Sequence, residues 1–256
     1  MTTVGSLYDW IDSFAPFGSA MDFDNPGLLV GNREDPVHLA LFALDITPAV
    51  VQEAEQLGAE LIVSHHPVIF HPLKTLGRQS VPYQLAKADI DALCAHTNLD
   101  MAPGGVNSEL AARLNLESVR TLSEYRPGLP EALMGELPEA MEPAAFAHQV
   151  KSQLGCDGLR FTDGKRPVRT VGLCSGGGAE LLYAALAAGC EGFVTGESKH
   201  NLLLDAEISH LTLVDAGHFA TEDLVLEPLM KRMHAAFPDL LVQKSRAMHS
   251  PAQYIS

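Results

Sequence analysis

Cysteine, positive charge and long apolar runs are what this sequence has least of. Its four cysteines, Cys94, Cys156, Cys174 and Cys190, are scattered without a C-x-x-C pair, which argues against a disulfide framework and against a cysteine-built structural zinc site. Lying mostly in or beside apolar runs, they read as buried thiols in a reducing compartment. Lysine and arginine number 17 against 32 aspartates and glutamates, for a net charge of -15. A nucleic-acid backbone is therefore a poor partner, because affinity for phosphates comes mainly from basic residues. No stretch reaches the ~18 consecutive apolar residues of a membrane span, and Met1 to Pro16 carries neither a basic n-region nor a long apolar h-region. We expect a soluble, cytoplasmic protein with no membrane partner.

What the sequence does have is an alternation of short apolar runs with helical stripes. Ser6 is placed to cap a helix whose apolar positions Leu7, Trp10, Ile11 and Phe14 share one face. Asp22 to Gly31 is rich in turn residues. His38 to Leu44 reads as a strand ending at Asp45, Thr47-Pro48 opens a helix that stops at Gly58, and Leu61 to Ser64 is the next strand. That βαβ unit places Asp45 and His65 at one edge of a parallel sheet. Tyr83 to Ile90 is expected as a helix, Asp91 to Ala95 as a strand, and Ser108 to Leu116 as another helix. Between Glu117 and Pro167 the pattern predicts a short strand near Leu133 to Leu137, a helix from Pro143 to Gly155 and a strand near Leu159 to Thr162. Arg169 to Cys174, Ala179 to Ala188, Gly192 to Thr195 and Thr212 to Asp215 then repeat the strand, helix, strand order of the first half. We expect an internal duplication in pattern, though not in identity. Leu226, Leu229, Met230, Met233 and Phe237 outline a last helix, which Pro228 should kink or end.

Polar groups collect where strands stop. The clusters are His65 and His66; His96 and Asp100; Glu197, Lys199 and His200; and Asp215, His218 and Glu222. Side chains alternate faces along a strand, so adjacent histidines serve one metal only if the backbone bends after Ser64; otherwise the two rings serve different metals. Pro67 favours the bend. Imidazole with carboxylate suits Zn, Mn, Fe or Co, and so many donors exceed the need of one ion but suit two that share a carboxylate and a water. His218 and Glu222 share a face if the chain is helical there. Gly176 to Gly178 lacks the spacing of a phosphate loop and reads as a tight turn, and Lys74, Arg78 and Lys199 read first as surface charges.

Asp24-Asn-Pro-Gly-Leu-Leu-Val-Gly31, Leu44-Asp-Ile-Thr47, Ser64-His-His-Pro-Val-Ile-Phe70, His96-Thr-Asn-Leu-Asp100, Gly104-Gly-Val-Asn107, Thr195-Gly-Glu197 and Ala216-Gly-His-Phe-Ala-Thr-Glu222 occur here in the order seen in the Nif-like dinuclear metal-centre family. The resemblance covers nearly the whole chain. It implies an α/β fold of duplicated βαβ-containing lobes, about 1–125 and 126–256, forming one Nif-like domain with a metal cleft between the lobes and no inserted middle domain. It also implies two divalent metal ions held by His65, His66, Asp100, His218 and Glu222, and a homohexamer. His96, beside that set, would orient a group or move a proton. Members are often described as type 2 GTP cyclohydrolase I homologues, so the implied activity is metal-dependent hydrolysis of a small nucleotide-like, cyclic amide or phosphoester substrate. The competing expectation is a non-catalytic metal-binding scaffold or regulator. The chain departs from the family where Phe23 stands in place of a frequent Trp and Glu197 in place of a common Asp.

Overall fold

Thr3, rather than Ser6, caps the first helix. Its hydroxyl accepts from the Ser6 amide at 3.2 Å while the Ser6 hydroxyl accepts from the Thr3 amide at 3.0 Å, a reciprocal capping box that satisfies two otherwise unpaired donors. The computed structural model describes residues 1–255. In chain order, α1 (Val4–Asp12) leads to β1 (Gly27–Val30), β2 (Leu39–Ala43), α2 (Pro48–Leu57), β3 (Leu61–Ser64), α3 (Val81–Ala88) and β4 (Asp91–Cys94). Then come α4 (Thr97–Asp100), α5 (Val106–Arg113), β5 (Glu117–Arg126), β6 (Leu129–Met141), α6 (Pro143–Leu154), β7 (Arg160–Phe161) and β8 (Val168–Cys174). The chain continues through α7 (Leu182–Ala187), β9 (Gly192–Thr195), α8 (His200–Ile208), β10 (Thr212–Asp215), α9 (His218–Glu222), α10 (Leu226–Ala236) and β11 (Leu241–Lys244).

Local chemistry explains the boundaries that the sequence predicts well. Thr47 Oγ1 accepts from the Val50 amide at 3.3 Å and Pro48 opens α2, while Gly58 closes it at φ 68°, a conformation that glycine adopts without cost. Gly155 closes α6 in the same way at φ 65°. Pro228 does not end α10: it lies in the first turn, where its missing N–H would have had no partner within the helix, and a 3-10 turn over Asp223–Val225 separates α10 from α9 just before it.

The chain forms two compact units. One comprises Met1–Leu99 and Val225–His249; the other comprises Asp100–Leu224 with the segment that begins at Ser250. In the first, the strand order is β1-β4-β3-β2-β11, with β2, β3 and β4 parallel, β11 parallel to β2, and β1 antiparallel to β4. Leu41, Ala43, Ile62 and Ala92 on one sheet face pack with Val50, Val51 and Ala54 of α2 and Leu85 of α3. In the second unit, the order is β5-β6-β8-β9-β10-β7, with β8, β9 and β10 parallel and the other strands antiparallel to their neighbours. Leu173, Val194 and Val214 face α5 and α6, whereas Phe193 and Leu213 face α7 and α8. Cover on both faces is why β9 and β10 read as unbroken buried runs. The same core, three parallel strands whose last member pairs with a short antiparallel edge strand, recurs in each unit. Among the described residues no helix is long and apolar enough to cross a membrane, and all four cysteines are free thiols.

Candidate metal centre

In the first unit the donors lie beyond the carboxyl ends of β3 and β4, where ligands of parallel sheets collect. Sheet pairing outlasts β3 by two residues, with the His65 amide bonded to Ala43 O at 3.3 Å and that of His66 to Leu44 O at 2.9 Å. The Ser64 hydroxyl then donates to the His66 carbonyl at 2.8 Å, and the chain turns into Pro67. The turn brings both adjacent rings to one place: His65 and His66 have centroids 5.1 Å apart, and His96 lies 5.1 and 5.5 Å from them. One nitrogen of each ring is within 4.8 Å of the others.

Every one of these rings is held by Nδ1. His65 Nδ1 is 2.8 Å from the Ala95 carbonyl, His66 Nδ1 is 2.7 Å from Asp45 Oδ1, and His96 Nδ1 is 2.7 Å from Asp24 Oδ1. Carbonyl and carboxylate oxygens only accept, so each Nδ1 donates and each neutral ring carries its lone pair on Nε2. This is the outer-shell arrangement that orients metal-binding imidazoles and raises their basicity. Asp24 belongs to the loop before β1 and has a side chain shut off from solvent. Burial raises its carboxyl, but hydrogen bonds from His96 and Thr97 outweigh that and hold it at about 2.

In the second unit the Glu222 carboxylate joins two other donors. His218 Nε2 lies 2.9 Å from Glu222 Oε2 across one turn of α9, and carboxylate oxygens of Asp100 and Glu222 are within 4.8 Å of each other. His218 Nδ1 is 3.1 Å from Glu197 Oε1, so the fourth histidine also has a carboxylate behind it. Gly176 is what admits this arrangement. It sits at φ +55°, where a Cβ would be 2.1 Å from Glu222 Oε1 and 3.2 Å from His218 Nε2. The triglycine stretch thus makes room for side chains of the site. The Cβ of residue 178 would likewise fall 2.2 Å from Cys174 Sγ.

Other candidates from the sequence have structural tasks. Asp215, only 7% exposed, receives hydrogen bonds from Arg160, from the Ser198 amide at 3.1 Å and hydroxyl at 2.8 Å, and from the Gly217 amide at 3.4 Å. It thereby fixes the turn that delivers His218. Lys199 pairs with Glu180 at 3.6 Å on the surface, and His200 is an exposed first residue of α8. Lys74 and Arg78 lie exposed in the loop before α3. The supporting residue Asp24 carried no role in the composition or periodicity: it is 72 positions from His96, and only its place in the Asp24-Asn-Pro-Gly motif marked it, whereas Glu197 already stood among the polar groups at a strand end.

Each unit therefore offers three donors of its own, imidazoles only in the first and two carboxylates with one imidazole in the second. That chemistry fits a borderline divalent cation such as Zn, Fe, Mn or Co, with no cysteine required.

Comparison with known proteins shows the family of the chain. The model of the family described as Duf34/NIF3 (NGG1p interacting factor 3) matches residues 2–251. A Clostridium perfringens protein named "GTP cyclohydrolase 1 type 2 homolog" is 34% identical over 233 residues, covering 87% of this chain and 88% of that one. A Streptomyces coelicolor protein of the same name is 34% identical over 235 residues, covering 87% and 82%. Among solved structures, that of the Staphylococcus aureus protein SA1388 superposes with a TM-score of 0.92 at 28% identity and 99% coverage of both chains. A Bacillus cereus protein related to NIF3 gives 0.90 at 23% identity, again with 99% coverage of both chains, and shows the fold alone.

Proposed function

The chain belongs to the Duf34/NIF3 family, and from that premise we propose that it is a dinuclear metal-dependent hydrolase acting on a small nucleotide-like, cyclic amide or phosphoester substrate. The name that its relatives carry points the same way. The observation that carries the reading is that the three histidines of the first unit are anchored through Nδ1 and present Nε2, the state an imidazole needs to bind a cation. His65, His66, Asp100, His218 and Glu222 are the proposed ligands. When bound, a pair of divalent cations supplies Lewis acidity and lowers the pKa of a water held at the site.

The remaining work falls to the chain itself. Asp45 and Glu197 fix the orientation of His66 and His218, and the Ala95 carbonyl does so for His65. Asp24 fixes the tautomer of His96, whose Nε2 then accepts a proton from the attacking water or returns one to the leaving group. The donor cluster of the first unit also admits His96 as a direct ligand, so its role is settled by metal content: a proton carrier leaves the metal count unchanged when replaced.

We further propose that the recurring strand core reflects duplicated lobes, about 1–125 and 126–256, and that the protein is a cytoplasmic homohexamer. A monomeric mass by light scattering at micromolar concentration removes the hexamer. The hydrolase reading is tested by stripping the protein, reloading it with Zn, Mn, Fe or Co, and assaying GTP, phosphodiesters and cyclic amides. Turnover that depends on metal and falls in His96→Asn is expected. Two bound metals with no turnover on any substrate class would instead favour a scaffold.

A further inference from the structure

We propose that Phe23 and Phe70 form a stacking subsite for a planar, electron-poor heteroaromatic ring beside the histidine cluster of the first unit. Only the identification of that ring with the substrate rests on the hydrolase reading above. Both phenyl rings are left in solvent, Phe23 60% and Phe70 37% exposed, although burial of such rings is ordinarily among the largest apolar gains available to a chain. They are mutual neighbours, with centroids 6.2 Å apart at 53°. Phe70 is braced edge-on by His71 at 4.7 Å and lies 6.2 Å from the His96 ring at 79°.

The loops that carry them are built in, not loose. Asn25 Nδ2 donates to the Ile69 carbonyl at 2.6 Å, which ties the Phe23 loop to the Phe70 loop. Asp24, between Phe23 and Asn25, is the residue that holds His96 and accepts from the Thr97 amide at 3.0 Å. The three residues Phe23, Asp24 and Asn25 thus position an exposed aromatic face and a histidine of the candidate centre together. The two rings are tilted too steeply, and lie too close, to sandwich a third ring between them, so a ligand stacks on their outer face. A phenyl face is electron-rich at its centre and its edge is electron-poor. It therefore favours a ring depleted of electrons, which is also the kind of ring whose carbon is open to attack by water.

Three probes that share one tail separate the ring from the rest: GMP, nicotinamide mononucleotide and ribose 5-phosphate. Calorimetric titration of wild-type, Phe23→Leu and Phe70→Leu protein, each both metal-loaded and stripped with EDTA, is the test. Leucine keeps the apolar bulk and removes the aromatic face. We expect nicotinamide mononucleotide, whose pyridinium ring is electron-poor, to bind about 10-fold more tightly than ribose 5-phosphate and more tightly than GMP, whose guanine is electron-rich, and each substitution to remove about that advantage. GMP binding the more tightly of the two overturns the electron-poor preference. Binding of ribose 5-phosphate and the metal content should be unchanged. Saturation transfer from the phenylalanine protons to the ring protons of the probe should be visible in the wild type and lost in the variants. Equal binding of all three probes, absence of binding by both ring-bearing probes, or unaltered affinity in both variants overturns the proposal. So does dissociation of an oligomer by either substitution in sedimentation velocity, which would make the patch a contact between copies. Ring-dependent binding to stripped protein, with no turnover after reloading, would leave this subsite standing while the hydrolase reading falls.

Discussion

Glu222 occupies space that Gly176 leaves vacant: a Cβ at residue 176 would lie 2.1 Å from Glu222 Oε1. The glycine is also at φ +55°, costly for any residue with a Cβ by about 1 kcal/mol or more. Gly176→Ala should therefore displace the Glu222 carboxylate and weaken retention of metal, while the sheets, which this residue does not pack, keep their circular dichroism. Elemental analysis per chain after dialysis checks it. Full metal content in the alanine variant would show that Glu222 can retreat without loss.

The carboxylates behind the histidines give a graded outcome. Asp45 has His66 as its hydrogen-bonded partner at 2.7 Å, and Glu197 approaches His218 at 3.1 Å. Asp45→Ala and Glu197→Ala each leave the proposed ligands in place and remove the group that orients one of them. Metal affinity should fall about 10- to 100-fold in each, without unfolding. Competition with a chromogenic chelator measures it, and affinities within twofold of wild type would make these contacts incidental.

These residues also show what the sequence could and could not disclose. Thr47, Pro48 and Gly58 bound α2 by contacts within a few positions of one another, and β3 ends where its apolar run gives way to His65, so both were legible. The donors were legible for the same reason: they stand where a run stops. The β5 to β6 hairpin was not, because β5 is largely exposed and its pairing with β6 is repeatedly irregular, which erases a clean alternation. Nor was β11, whose pairing partner β2 lies about two hundred residues earlier in the chain. The Asp24 to His96 contact is of the same kind. Composition and spacing record local chemistry, and a hydrogen bond between remote loops leaves no local trace.

Asp91 supplies a pH effect away from the metal donors. Burial, followed by repulsion from Asp35 and Asp89, raises its carboxyl to about 7, against a lowering by the Asn32 amide. Its folded pKa exceeds its unfolded value of about 3.9. The folded protein then binds more protons than the unfolded chain between these values, so stability is full below about pH 4 and declines as pH rises toward 7. Asp91→Asn keeps an oxygen for the Asn32 amide and removes the charge. It should stabilise the protein at pH 8 by no more than about 4 kcal/mol and flatten this part of the profile. Urea unfolding at pH 5 and pH 8 is the measurement; an unchanged slope between the two would refute it.

Asp100 and His96 are separated by only four positions, yet their replacement should have opposite signatures. A carboxylate can give one oxygen to each of two cations about 3.5 to 4 Å apart, whereas an imidazole nitrogen serves only one. Asp100 is the carboxylate that shares its surroundings with Glu222, and its charge offsets the repulsion between two cations in a partly desolvated place. Asp100→Asn preserves shape but removes that charge and weakens one arm. It should lose at least one of the two metals and stay folded, since the buried strands and helices do not depend on this side chain. His96→Asn removes a ring that the proposed ligand set does not need. It should keep both metals and lower the hydrolytic rate about 100-fold or more, the range of a lost proton-transfer group. Metal stoichiometry with circular dichroism as folding control decides both. Two full equivalents in Asp100→Asn would exclude the bridge, and loss of metal from His96→Asn would make that histidine a ligand.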